Sequence, residues 1–181
     1  MGKDTSISQE SYDRMTMYIG ASGWGEFIIG EEPEIIKLQP DELLIVPAGT
    51  LCGMQTSNGI VYTEIICTGK DINMNANVKT NEVFALKNLI SYEEGSIANM
   101  DVVSTPDMKY VLMAFDEGTG LTPHRAPGNA IVFALEGKAT IGYEGKDYEL
   151  SEGECFRFEK NGLHSVTANG KFKMALLLVL E

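Results

Sequence analysis

The chain has 181 residues, 44% hydrophobic and 22% charged, a length that suits one domain or two small ones with a sizeable core. Fourteen basic residues against 26 acidic ones give a formal charge of −12, which excludes the basic footprint of a nucleic-acid binder and the polybasic segment of a membrane-surface protein. The apolar run at 174–180 is too short to cross a bilayer.

From the N-terminus, MGKDTSISQESYDR is polar and has no apolar h-region, so no secretory signal is expected and a reduced cytoplasm is the expected location. The three cysteines, Cys52, Cys67 and Cys155, lack C-x-x-C spacing, which disfavours a disulfide framework or a zinc ribbon. Short β-rich runs then recur at 26–29, 43–46, 60–66, 110–115, 131–135 and 174–180. Turn pairs such as Asn58-Gly59, Glu136-Gly137, Glu144-Gly145 and Asn169-Gly170 separate them. Many short strands with close turns predict an all-β sandwich or barrel. One short helical stretch is expected at 81–88.

An internal repeat sharpens the fold class. At a uniform spacing of 112, Gly25, Ile29, Gly30, Glu32, Leu38, Glu42 and Leu51 meet Gly137, Ile141, Gly142, Glu144, Leu150, Glu154 and Leu163. Asn58-Gly59 answers Asn169-Gly170 after a one-residue slip. Two copies of one β unit are expected: an N-terminal domain over 1–68, a linker over 69–82 rich in Asn and Lys, and a C-terminal domain over 83–181.

In the second copy, Gly118 precedes His124 by the spacing G-x5-H, and Leu135-Glu136-Gly137-Lys138 follows. The run Gly142-Tyr143-Glu144-Gly145-Lys146-Asp147-Tyr148-Glu149-Leu150 comes next, then Gly153 and His164. Here the sequence resembles the cupin superfamily, whose motifs are G(X)5HXH(X)3-4E(X)6G and G(X)5PXG(X)2H(X)3N. The segment from Leu121 to Glu154 is similar to small single-domain bacterial cupins. In the first copy, Pro47-Ala48-Gly49-Thr50-Leu51-Cys52 fits the P-x-G-x-x-H frame with Cys52 in place of the histidine. The resemblance implies double-stranded β-helix (cupin jelly-roll) barrels in two copies, a bicupin, with the N-terminal barrel trimmed because no strand precedes its first motif.

Against the family's four metal ligands, the second copy keeps His124 and His164, the only histidines of the chain, but has Ala126 and Ala130 at the other two positions. Subtracting 112 gives Tyr12, Arg14, Tyr18 and Cys52 in the first copy, a set unsuited to a divalent metal. Two readings of the histidine pair stay open. In one, His124 and His164 hydrogen-bond from the wall of a pocket. In the other, they hold one divalent ion (Zn, Ni, Fe or Cu) with a third ligand that the sequence does not locate. If the register of the resembled family holds, strand alternation turns His124, Ala126, Ala130, Val132 and Ala134 to one side, the barrel interior. A pocket with two imidazoles on an apolar wall suits a small, partly apolar organic ligand; larger side chains filling the space would make it core instead.

The expected function is therefore small-molecule binding in the C-terminal barrel. The alternative is a metal-dependent cupin enzyme of isomerase, dioxygenase or decarboxylase type using His124 and His164. No Ser/His/Asp set or phosphate-cradling loop is present. Cys155 is expected to be buried and inert, and Arg125 to point away from the pocket. Exposed strand edges and the outward-facing Ile131, Phe133 and Leu135 lead to an expected homodimer.

Overall fold

The computed structural model describes residues 1–69 and 71–180; Lys70 of the expected linker and Glu181 of the expected C-terminal domain lie outside the described residues. The chain forms two compact units, one of Met1–Thr68 with Ala76–Ala85, the other of Gly69–Asn75 with Leu86–Glu181. Both are built from strands, as the short apolar runs between glycine turns predict. The expected helix at 81–88 is not formed. A strand at Val83–Ala85 leads into a single 3-10 turn at Leu86–Asn88, because the strand bonds an open sheet edge that a helix could not satisfy.

The first unit contains β1 (Thr5–Ser11), β2 (Thr16–Gly23), β3 (Gly25–Ile29), β4 (Glu34–Leu38), β5 (Glu42–Val46), β6 (Leu51–Thr56) and β7 (Ile60–Ile66), in chain order. Two later short strands, β8 (Asn73–Met74) and β9 (Val83–Ala85), come from the stretch around the expected linker. Its sheets run β1-β6-β3-β4 and β7-β2-β5-β9, both antiparallel. The edge that a trimmed copy would leave at β5 is thus covered by β9, which pairs Val83 with Leu44 and Ala85 with Glu42. The core of this unit gathers Tyr18, Phe27, Ile29, Leu38, Leu44, Val46, Met54 and Ile60. Fully burying each such side chain is worth about 1.5–3 kcal/mol.

The second unit holds β8 and β10 (Ile97–Thr105), β11 (Met108–Phe115), β12 (Gly120–Arg125), β13 (Asn129–Tyr143), β14 (Lys146–Ser151), β15 (Cys155–Phe158) and β16 (Leu163–Val179). They form one sheet in the order β14-β13-β16-β11-β10-β8, with β12 on β16 and β15 on β13. The long β13 and β16 are bonded to each other along most of their length and are interrupted by register shifts between Ala134 and Glu136 and between Gly137 and Ala139. Such bulges bend a strand, which lets one strand pass through both layers of a jelly roll. The stretch expected as a linker is not free chain: Asn73 and Met74 pair with Ser104 and Val103, and the Asn81 amide donates to the Ile45 carbonyl at 2.8 Å.

The pairings also correct the repeat. The β3–β4 hairpin closes at Ile29 and Glu34, whereas β13–β14 closes at Tyr143 and Lys146, a turn two residues shorter. Its central residues Glu144 and Gly145 both have positive φ (48° and 80°), the type I′ geometry that a two-residue hairpin demands. Equivalent positions therefore lie 114 apart before this turn and 112 apart after it, so that Gly23 answers Gly137 and Leu38 answers Leu150. Gly23 and Gly137 share a left-handed φ of 69° and 77°, and a Cβ on either would sit 2.1 Å from a carbonyl oxygen of the neighbouring strand, Gly59 or Lys171. After the turn, the amides of Gln39 and Ser151 each donate to a carboxylate three residues on, Glu42 and Glu154, at 2.8 Å. On this register the first-unit counterparts of His124, Ala126, Ala130 and His164 are Glu10, Tyr12, Thr16 and Cys52. The expected set of Tyr12, Arg14, Tyr18 and Cys52 is corrected accordingly: the uniform spacing of 112 slips every position before the turn by two.

Candidate functional site

His124 and His164 lie directly opposite each other on β12 and β16. Directly opposed residues of an antiparallel pair share a face, and the two rings meet at a centroid distance of 4.2 Å with 55° between planes. β12 carries an irregularity between Leu121 and His124, spanning Pro123, whose missing N–H suits an interrupted ladder.

Each imidazole is held the same way. Nδ1 of His124 is 2.9 Å from the Thr122 carbonyl oxygen, and Nδ1 of His164 is 2.9 Å from that of Gly162. A carbonyl only accepts, so Nδ1 carries the proton in both rings, and in its neutral form each ring keeps its lone pair on Nε2. His164 is 6% exposed and stacks on Phe158, centroids 4.1 Å apart and planes 23° apart. Burial lowers its pKa below the ordinary histidine value, the bond to Gly162 opposes this, and the neighbouring His124 lowers it further. His124 is exposed, so the pair sits at the surface end of the strand ladder.

The rest of the expected pocket lining is placed differently. Ala130, Val132 and Ala134 are buried, 0–3% exposed, in a core with Phe115, Phe158, Phe172 and Met174. Ala126 is half-buried. These three residues share one core cluster with larger side chains from β11, β15 and β16. A cleft of about 250 Å3 borders His164, with Pro123, Tyr143, Lys146, Asp147 and Ser165 at its edges. The polar edge of that cleft is not legible in the sequence, because its residues come from three strands, β13, β14 and β16.

The donor set does not fit a protein-bound divalent ion. Such sites present three or more ligands. Among the described residues no group of three His, Cys, Asp or Glu side chains is arranged to hold a metal, and the positions that would complete the set are Ala126 and Ala130. In the first unit, Cys52 is buried and its thiol is pushed up to about 11, by burial first and then by Glu64. It is protonated at neutral pH, which makes it a poor nucleophile there. Cys155, expected to be buried, is exposed; partial burial of the thiol still raises its pKa. Arg125 points away from the pair as expected, donating to the Asn161 carbonyl and lying 3.8 Å from Glu144.

The strand order and the bent β13 and β16 define a jelly-roll domain. The family profile of the Cupin domain matches residues 111–180, which span β11 to β16. Residues 111–180 of the chain thus carry a cupin domain. A Cupin 2 conserved barrel domain protein from Leptotrichia buccalis is similar over 99% of this chain and 80% of its own, with 27% identity and a TM-score of 0.85. A cupin superfamily protein from Desulfitobacterium hafniense is similar over 58% of this chain and 96% of its own, at 19% identity and a TM-score of 0.56. A salicylate 1,2-dioxygenase from Pseudaminobacter salicylatoxidans shares the fold over 99% of this chain and 68% of its own, at 11% identity and a TM-score of 0.69. No curated protein sequence matches the chain. Among the described residues no helix is long and apolar enough to cross a membrane.

Proposed function

We propose that the protein is a cupin that binds a small organic molecule without transforming it, and that His124 and His164 recognise the ligand at the open end of the C-terminal domain. The observation that carries this reading is the matched tautomer: both Nδ1 protons are committed to backbone carbonyls, so both Nε2 atoms are acceptors. Two acceptors on rings 4.2 Å apart suit a ligand with two donors, such as a vicinal diol or a catechol. The alternative of a metal-dependent enzyme needs a third ligand, which the described residues do not assemble. The common pairing register of the two units supports reading the chain as a bicupin in which only the second copy keeps imidazoles.

The test uses the chain's two histidines as reporters. Long-range proton–nitrogen correlation of the full-length protein is expected to show both rings protonated at Nδ1, with both Nε2 signals moving on saturation with catechol. His124→Leu, at an exposed position, is expected to abolish the shift while leaving the fold intact. Stoichiometric metal in the purified protein that disappears in His164→Ala would overturn the reading in favour of a metal enzyme.

A further inference from the structure

The first unit has its own recess at the place where the second keeps its histidines. A cavity of about 60 Å3 is lined by Ile7, Tyr12, Tyr18, Cys52, Tyr62 and Glu64, among others. Tyr18 is 5% exposed, and the Tyr62 ring meets it edge-on at 5.7 Å. Phe27 backs both rings at 4.8 and 6.4 Å. Tyr12 is exposed, and its hydroxyl donates to Glu10 at 3.2 Å. Glu64 stands directly opposite Tyr18 in the β2–β7 ladder, so its carboxylate shares the face of the phenols.

The pairing register shows how different this chemistry is from that of the second unit. Tyr18 opposite Glu64 corresponds to Val132 opposite Leu176, and Tyr62 opposite Gly20 corresponds to Met174 opposite Ala134. Tyr12 corresponds to Ala126. Positions that are apolar in one unit carry phenols and a carboxylate in the other. Gly20, opposite Tyr62 in the ladder, leaves no room for a side chain, since a Cβ there would meet the Gln39 carbonyl. Burial, Cys52 and Glu64 raise the Tyr18 hydroxyl, so the phenol is neutral. The cavity lining brings together three phenol side chains and one carboxylate, with no lysine or arginine among its residues.

We propose that the cavity framed by Tyr12, Tyr18, Tyr62 and Glu64 binds a small organic ammonium group, methylated or quaternary. Aromatic faces attract such cations through the ring quadrupole, most strongly where water is displaced. A neighbouring carboxylate supplies the counter-charge, and the net charge of −12 favours approach of a cation over an anion. The volume exceeds that needed for a single water and is of the order of one methylated nitrogen head. The thiol of Cys52 contributes a soft, neutral floor.

The experiment compares choline with its neutral carbon isostere, 3,3-dimethyl-1-butanol, by titration of the full-length protein followed through tyrosine ring signals and calorimetry. Choline is expected to bind saturably and move the Tyr12, Tyr18 and Tyr62 signals while leaving those of His124 and His164 in place. The isostere is expected to bind at least about fivefold more weakly, the size of one cation–π or counter-charge contribution. Glu64→Gln and Tyr12→Leu, both at exposed positions, are each expected to weaken choline by a similar factor and leave the circular dichroism spectrum unchanged. Equal binding of choline and the isostere would overturn the proposal, as would choline binding insensitive to Glu64→Gln, or no binding of either compound to the folded protein. Because the readout lies on the tyrosines, its failure is separate from any failure of the histidine site.

Discussion

His164 stacks on Phe158, centroids 4.1 Å apart, in a position where the imidazole is 6% exposed. The ring is thereby held where charging it is unfavourable. Its folded-state pKa lies below the ordinary 6.5, chiefly through burial and, after the opposing bond to Gly162, through His124. Between that lowered value and 6.5 the unfolded chain binds the proton more readily than the folded one, so stability rises with pH across the window. The contribution is present above 6.5 and is lost as pH falls through the folded pKa. Thermal midpoints followed by circular dichroism are expected to drop from about pH 7 to about pH 5, and His164→Gln is expected to flatten that slope. Identical pH slopes for wild type and variant would refute the assignment.

Gly137 is where β13 turns from one layer to the other. An alanine there would adopt a left-handed φ of 77° and put its Cβ 2.1 Å from the Lys171 carbonyl oxygen. Gly153 has a similar φ of 84° but open space around its Cβ. The left-handed conformation alone costs a non-glycine residue about 1–2 kcal/mol, and the clash at 137 adds to it because a backbone atom must shift. Gly137→Ala is therefore expected to lower the urea midpoint well beyond Gly153→Ala. Equal midpoints for the two variants would mean that the close approach at Lys171 is not real.

Ala134 distinguishes a packed wall from an open one. It is 3% exposed and packs in the core with Phe115, Phe172 and Met174. Overpacking such a site typically costs about 1–3 kcal/mol. Ala134→Leu is expected to destabilise the protein by that order in chemical denaturation. If the leucine variant were as stable as wild type, the space beside Ala134 would be a cavity and the ligand site would extend inward from the histidines.

The fold class was legible because alternating apolar runs and glycine turns allow little else, and because Glu42 and Glu154, Leu38 and Leu150, and Leu51 and Leu163 truly occupy equivalent positions. The facing of His124 and His164 was legible for the same reason, since both fall within family motifs that fix register. What escaped was the shorter turn at Glu144-Gly145. Glycines are frequent enough around it that Gly25 and Gly30 find false partners in Gly137 and Gly142 at uniform spacing, while the geometry equates Gly137 with Gly23. That slip hid Glu10 as the counterpart of His124. Glu64 was invisible at the site because only the β2–β7 ladder brings it opposite Tyr18. The strand at Val83–Ala85 was missed because an unpaired edge at β5 overrode local propensity, a tertiary effect that no short window contains.

Lys173 provides the last test, because its surroundings are unusual for a lysine. It is 8% exposed, donates to the Lys87 carbonyl at 2.7 Å and lies 3.5 Å from the Glu136 carboxylate. Its ammonium also sits 4.7 Å from the centre of the Tyr92 ring, whose hydroxyl donates to Glu136 at 2.8 Å. Burial and that hydrogen bond both push the Tyr92 phenol up, so it stays a donor across the working range of pH. Lys173→Met removes the cation, leaves the Lys87 carbonyl without this donor and deprives Glu136 of its counter-charge. Glu136 is partly solvated, so the loss is set below that of a fully buried pair, at about 1–3 kcal/mol. Tyr92→Phe, which deletes one hydrogen bond, is expected to cost about 1 kcal/mol. Because the two side chains meet on one carboxylate, their effects should not add, and the double variant is expected to differ from the sum by about 0.5 kcal/mol or more. Urea denaturation of the two single variants and the double variant measures this. A neutral Lys173→Met, or strict additivity with Tyr92→Phe, would show that the three groups do not act as one network.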